Sequence, residues 1–302
     1  MTYPVDKINF MNRLLLLGLA LLFSIAGMGQ EFIYGTFKDT RVINSHSVET
    51  LPKRKLDIRI SHRFGDLLGD AGGWRTFYGL ENATDILIGG EYGITDQLTA
   101  GLSRSKGAGD LRQLVNGLVK YRLVRQSVER SALTITAVVT TSFSTMEKDP
   151  TSEGLNSFPE FAHRLVYSGH ILAGSKISKD FSLQLGAGYT HRNLVKDLEI
   201  NGIFTVNLAS RIQITKVLGL LLDATVPLNG QQSPFLESEP GFQNFYPMVG
   251  IGFEFDTGGH VFQVNLTNST GIVETDYIPY TNSNWFDGQF RLGFTISRTF
   301  NL

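Results

Sequence analysis

The chain has 302 residues, 18% charged, 11% aromatic and 42% hydrophobic, with 32 Gly, 9 Pro and no Cys. Charge lies below the roughly 25% of a soluble domain and Gly above its usual roughly 7%, yet a mean hydropathy of −0.02 argues against a helical membrane protein. The 21 Phe and 10 Tyr exclude a disordered chain, a formal charge of −1 gives no electrostatic case for nucleic acid, and without Cys there is no disulfide framework or thiolate metal site.

Residues 1–29 read as a secretory signal peptide. Lys7 and Arg13 form a positive n-region, Leu14 to Ile25 an apolar h-region, and Ala26-Gly27-Met28-Gly29 a small-residue cleavage site before Gln30. The apolar core is shorter than the ~20 residues a spanning helix needs. Residues 30–53 then form an N-terminal segment, periplasmic or luminal, ahead of a barrel over 54–302.

Past residue 54 the chain is a series of period-2 segments. Leu56, Ile58, Ile60 and Phe64 oppose Asp57, Arg59, Ser61 and Arg63. Phe181, Leu183, Leu185, Ala187 and Tyr189 oppose Ser182, Gln184, Gly186 and Gly188. Phe290, Leu292, Phe294, Ile296, Arg298 and Phe300 oppose Arg291, Gly293, Thr295, Ser297 and Thr299. This pattern predicts strands over 54–64, 83–94, 98–105, 112–124, 132–143 and 161–176. Six more follow over 181–191, 202–214, 218–228, 245–256, 261–268 and 285–300.

The connections alternate in length. Short turns fall at 95–97, 125–130, 178–180, 215–217 and 257–259; longer loops fall at 65–82, 144–160, 192–201, 229–244 and 269–284, with a shorter one at 106–111. Such alternation marks a bacterial outer-membrane barrel. An even strand number puts both termini on the periplasmic side. Tyr92, Phe181, Phe253, Phe255, Phe262 and Phe300 then form one aromatic belt. Phe64, Phe143, Phe161, Tyr189, Phe204, Phe245 and Trp285 form the other. Lipid offers no hydrogen-bond partners, so strands span only as a closed sheet. The competing reading is a soluble β-sandwich or β-solenoid, which has no reason for sidedness. The fold expected is all-β: a transmembrane, antiparallel, up-and-down barrel of twelve strands.

Three stretches carry a family resemblance: TRVINSHSVETL (40–51), LDIRISHRFGDL (56–67) and FYGLENATDILIGGEYGITDQLTAGLSRS (77–105). They resemble an outer-membrane β-barrel family of Bacteroidota-type bacteria, catalogued as a domain of unknown function. Arg63-Phe64-Gly65 and Gly93-Ile94-Thr95-Asp96 are its most specific parts. The resemblance implies fold and location, and no activity. The last strand is similar to the signal read by the barrel-insertion machinery, although Asn301-Leu302 follows Phe300.

Chemistry is sparse. The sequence has no Gly-x-Ser-x-Gly elbow, His-Glu-x-x-His, phosphate loop or calcium loop, and Gly186-Ala187-Gly188 lies inside a strand. No cofactor, no metal and no enzyme activity are expected. His163, His191 and His62 face outward near the rim and His170 inward, with no Ser and carboxylate pair assignable to them. Parity places Asp57, Arg59, Arg63, Asp85, Glu91, Lys120, Arg122, Arg164, Arg211, Asp223, Glu254, Asp287 and Arg291 on the inner, lumen-lining face. Mixed signs suit a luminal network more than a selectivity filter. Twelve strands lie between filled eight-stranded barrels and open sixteen-stranded ones, so a narrow or plugged lumen follows.

Two segments could plug it: 31–53, with Asn44, Ser45, His46, Ser47 and Glu49, or loop 65–82, with Ala71-Gly72-Gly73-Trp74. A tether and a solvated loop are the alternatives. Glu147, Asp149, Glu153, Glu237 and Glu239 make the loop side acidic, where divalent ions could bridge to glycolipid. The function expected is a narrow passive pore or small-solute transporter; the alternative is a non-conducting scaffold or partner of a periplasmic or surface complex. Expected partners are outer-membrane lipid and glycolipid and the insertion machinery, with no nucleic acid.

Overall fold

The computed structural model describes residues 35–152, 154–196, 199–236 and 244–302. The expected signal peptide and Glu153, Glu237 and Glu239 lie outside these residues.

Twelve strands form among them: β1 (Lys55–Phe64), β2 (Ala83–Gly93), β3 (Leu98–Ser105), β4 (Leu114–Val124), β5 (Thr134–Ser144) and β6 (Leu165–Lys176) come first. They continue as β7 (Phe181–Arg192), β8 (Gly202–Gln213), β9 (Leu218–Pro227), β10 (Met248–Asp256), β11 (His260–Thr267) and β12 (Arg291–Asn301). Each pairs antiparallel with its sequence neighbours, and β1 closes on β12, with Ile60 opposite Ile296, so the sheet is a closed barrel without an edge. Both ends of the sheet meet at the short-turn end, where Lys55 faces Asn301.

The alternation sorts the two faces. Ile58, Ile88, Leu102, Val119, Val139, Leu185, Phe204, Leu208, Ile251 and Val264 stand exposed on the outside. An apolar surface this continuous is stable only against lipid or a partner. Aromatic pairs gather at the loop end: His62 lies 4.2 Å from Phe64, Phe143 5.5 Å from Phe161, and Tyr189 4.9 Å from Phe204.

Two strands, β6 and β12, start later than periodicity suggests by a full turn of chain or more. Residues Phe161–Arg164 coil into a 3-10 turn, closed by His163 Nδ1 accepting the Glu160 amide at 3.0 Å. Residues Trp285–Asp287 form another, where the Asn284 side chain accepts from the Phe286 amide and Gly288 takes φ 74°. In both places a side chain bonding its own backbone outcompetes the ladder.

The core lies inside the barrel. Phe37, Val42, Ile43 and Val48 of the N-terminal segment pack with inward Val138, Leu172, Ala209 and Leu221.

Candidate functional site

Residues 35–53 turn back on themselves within the lumen. The Ser47 amide donates to Thr40 O at 2.9 Å, the Val42 amide to Ser45 O at 2.9 Å, and Arg41 bridges His46, so the chain makes a hairpin with Ile43-Asn44 at its tip. It enters and leaves by the short-turn end. There the Leu51 amide donates to Thr99 Oγ1 at 2.9 Å, the Lys53 amide to Asp96 Oδ1 at 2.9 Å, and the Arg54 amide to Gly93 O at 2.8 Å. Gly93 is required here, because a Cβ would lie 2.0 Å from Pro52 O.

The hairpin brings its own polar groups, and wall side chains answer several of them. Asp223 on β9 takes the tip: its Oδ2 accepts the Ile43, Asn44 and Ser45 amides at 3.2, 2.8 and 2.8 Å, and Oδ1 accepts the Ser45 hydroxyl at 2.6 Å. A turn's clustered N–H groups form a ready anion seat, and here the anion belongs to the wall. Arg59 on β1 forks onto Asp39, with Nη1 3.0 Å from Oδ2. Lys120 on β4 donates to Thr40 O and Ser47 O at 3.0 and 2.9 Å, clamping both arms. Arg63 bridges Asn265 Oδ1 at 2.8 Å to Asn44 Oδ1 at 3.1 Å. Gln184 donates to His46 O at 2.8 Å.

A second plug descends from the loop end. Residues 268–284 between β11 and β12 fold inward around a short helix, α1 (Glu274–Tyr280). Tyr277 and Ile278 pack with Ile203 and Met248, while Ile272 and Val273 join Leu87, Leu111, Leu114, Phe158 and Val166. Two buried carboxylates pin this loop. Asp85 accepts the Gly107 and Ile272 amides at 2.9 and 3.0 Å; Asp276 accepts the Ala108 and Gly109 amides at 2.8 and 2.9 Å. Burial and the neighbouring Asp85 push the Asp276 carboxyl up to about 7.

The two plugs touch. Glu274 of α1 lies 3.5 Å from Arg41 and 3.6 Å from His46, both on the hairpin. Asn44 Nδ2 donates to Gly271 O at 2.9 Å. Burial holds the His46 imidazole well below its ordinary range, with Arg41 adding to the effect, so the ring meets Glu274 as a neutral group.

Of the residues assigned inward by parity, Asp57, Arg59, Arg63, Asp85, Glu91, Lys120, Arg122, Arg211, Asp223, Glu254 and Arg291 are buried inside the barrel. Arg211 pairs with Glu254 at 2.7 Å along the wall, and Arg291 donates to Ser283 Oγ at 2.9 Å in the loop-end plug. Asp287 sits elsewhere, exposed in the 3-10 turn before β12, where Asn284 Nδ2 donates to it at 2.8 Å. Arg164 sits at the rim, half-buried over the Phe158 ring, donating to Ser144 O and Met146 O. Both displacements follow from the 3-10 turns that replace strand there.

Loop 65–82 stays outside, with Trp74, Phe77 and Tyr78 exposed. The plug at that end is 268–284, which strand periodicity does not reveal. Its available signal was helical: Val273 and Tyr277 stand four apart, flanked by Ile272 and Ile278, in a stretch read only as one of the longer loops.

Histidine chemistry finds little support. Among the described residues His163 caps its own turn, and His191 lies 3.4 Å from the Tyr189 hydroxyl. Ser168 Oγ is 2.8 Å from His170 Nε2, but of the two only His170 lines a cavity, one of about 10 Å³ under the hairpin, too small for a substrate. No group of three or more His, Asp or Glu able to hold a metal occurs among the described residues.

Space remains at three levels. A cavity of about 440 Å³ opens at the short-turn end between the hairpin, Asp96 and Arg122. One of about 190 Å³ opens at the loop end beside Tyr280, Arg112 and Asn282. Between them is a chamber of about 30 Å³ against β2–β4.

A family described as "Membrane bound beta barrel domain (DUF5777)" matches residues 37–300, taking in both the hairpin and the barrel. The chain belongs to this family. It is therefore a membrane-bound β-barrel, and its exposed apolar band is the lipid-facing surface. No curated protein matches the chain. Among solved structures it is similar to the NanC porin, with a TM-score of 0.47 and 10% identity over 82% of this chain and 100% of that one. The KdgM porin gives 0.47 and 8% over 82% and 99%. An outer membrane channel from Pseudomonas putida F1 gives 0.45 and 14% over 85% and 100%.

Proposed function

We propose that the protein is a narrow, non-catalytic channel for small polar solutes in the outer membrane of a Gram-negative, Bacteroidota-type bacterium, closed at rest by the hairpin 35–53. One observation carries this reading. The charged wall residues Asp223, Arg59 and Lys120 spend their strongest bonds on a segment that joins the barrel only at residue 54. Withdraw that segment and the polar lumen of twelve strands opens from the short-turn end as far as the loop-end plug, beside which a cavity of about 190 Å³ remains. In this reading the short-turn end is periplasmic, and a periplasmic partner draws the hairpin away. Lipid and glycolipid cover the outer face, and the insertion machinery reads β12.

Recordings in planar bilayers test it. The full chain is expected to be silent or to open rarely, a variant lacking 35–53 to conduct weakly past the loop-end plug, and one in which 268–284 is also replaced by a short turn to conduct steadily. A deletion variant that folds, shown by heat-shifted gel migration, and never conducts would sink the channel. The closed lumen itself favours a second reading, a non-conducting scaffold, and that same result would select it.

A further inference from the structure

The chamber of about 30 Å³ between the two mouths is built from unusual parts. Its wall carries Gly101 on β3, which presents no side chain to the lumen and lies opposite Glu91 of β2. Across the space stand Arg41 of the hairpin and Arg59 of β1. Three polar atoms lining it are buried and have no hydrogen-bond partner: Glu91 Oε2, Thr140 Oγ1 and Arg59 Nε. Their side chains are 7%, 2% and 3% exposed. Leaving such groups unmade costs roughly 1–3 kcal/mol each, so the site calls for an occupant.

Size and chemistry restrict that occupant. A buried water needs about 10–15 Å³ of this space and two to four polar partners, so the chamber takes about two waters. Two acceptors and a donor are the partners on offer. A metal cation or hydronium would face Arg41 and Arg59 across the space, the arrangement by which pores exclude cations while passing water. Hydrogen bonds and chain connections lead from the chamber toward both mouths. Arg59 is bonded to Asp39 and Thr40, which line the short-turn cavity. Val273, at the opposite end, leads into the loop whose Tyr280 lines the outer cavity.

We propose that the closed barrel conducts water, along a path past the hairpin that passes through this chamber between Arg41, Arg59, Glu91, Gly101 and Thr140. The inference rests on the reading of the barrel as a hairpin-closed channel and names what that closed state still passes.

The test is osmotic shrinkage of proteoliposomes followed by stopped-flow light scattering, with potassium flux measured on the same vesicles. Wild-type vesicles should shrink several-fold faster than protein-free ones and hold their potassium. Gly101→Leu fills the chamber and should return shrinkage to the protein-free rate. Thr140→Val keeps the shape but removes an acceptor and should slow shrinkage about two-fold or more, which guards against Gly101→Leu failing to fold. Wild-type shrinkage no faster than protein-free, or folded Gly101→Leu and Thr140→Val both at the wild-type rate, would overturn the proposal. So would wild-type vesicles losing potassium faster than protein-free ones, a leak expected only of the variant lacking 35–53. Silence of that deletion variant in bilayers sinks the channel reading alone, because the wild-type against Gly101→Leu comparison does not use it.

Discussion

The hairpin and α1 fill one lumen by opposite means. The hairpin is seated by charge and backbone: Asp223 at its tip, Arg59 on Asp39, Lys120 across both arms. The loop-end plug is seated by apolar packing of Ile272, Val273, Tyr277 and Ile278, with two carboxylates as pins. An apolar seat tolerates a looser fit, whereas a buried charged seat is stable only while every partner is present. The short-turn plug is thus the one whose hold can be lost all at once, and the loop-end plug behaves as part of the core.

Removing one partner of the hairpin's ion pair should have the largest effect. Arg59→Met strands Asp39 inside the barrel, and breaking a buried pair costs about 3–5 kcal/mol. The double variant Asp39→Leu with Arg59→Met removes both charges and should recover most of that loss. Chemical denaturation and hydrogen exchange at residues 37–48 would show it; a double variant as unstable as the single would refute the charged-seat account. Asp223→Ala comes next. It leaves three backbone amides and a hydroxyl without an acceptor, at about 3 kcal/mol or more. Since 1.4 kcal/mol is tenfold, exchange at Ile43, Asn44 and Ser45 should quicken about a hundredfold, with exchange at 272–278 unchanged.

That contrast also explains what sequence could reveal. Period-2 alternation displayed all twelve strands, because lipid on one side and a polar lumen on the other act on every residue. It overran at 161–164 and 285–290, where Glu160 with His163 and Asn284 with Gly288 turn the backbone locally. Parity likewise sorted Asp223 and Arg59 to the inner face, yet their partners are remote: Asp223 meets Asn44 across 179 positions, a pairing no spacing rule encodes. Segment 31–53 drew attention by its polar run, and the structure resolves whether it is tether or plug by burying Asn44, His46 and Ser47. Glycine content pointed to loop 65–82 as the other candidate, and this misled. Its Trp74, Phe77 and Tyr78 stand outside, while the helical spacing in 272–278 marks the segment that goes in. The stretches that carry the family resemblance are the hairpin itself, the Arg63 that holds Asn44, and the Gly93–Asp96 doorway through which the hairpin passes.

The loop-end plug should respond to pH through its own carboxylate. The Asp276 carboxyl is raised to about 7 by burial and by Asp85, with Arg112 opposing. A carboxyl raised by folding stabilises its seat at acid pH and loses that contribution as pH climbs through the folded value. Exchange at 268–284, corrected for intrinsic rates, should therefore be faster at pH 8.5 than at 5.5, and Asp276→Asn should flatten the difference. Ile278→Val is the matching apolar test: one methyl from a buried cluster costs about 0.5–1.5 kcal/mol, confined to the same loop.

The smallest effect marks where the hairpin's charged seat ends. Lys38 meets Asp256 at 3.1 Å, but their side chains are 40% and 22% exposed at the short-turn mouth. Exposed pairs contribute about 0.2–1 kcal/mol, less in salt. Lys38→Ala should therefore leave exchange at Ile43 to Ser45 within a few-fold of wild type, even though Lys38 adjoins Asp39 in the same arm. A loss from Lys38→Ala as large as that from Arg59→Met would mean that the hairpin is held at its mouth, and that burial is not what gives the Arg59 and Asp223 contacts their strength.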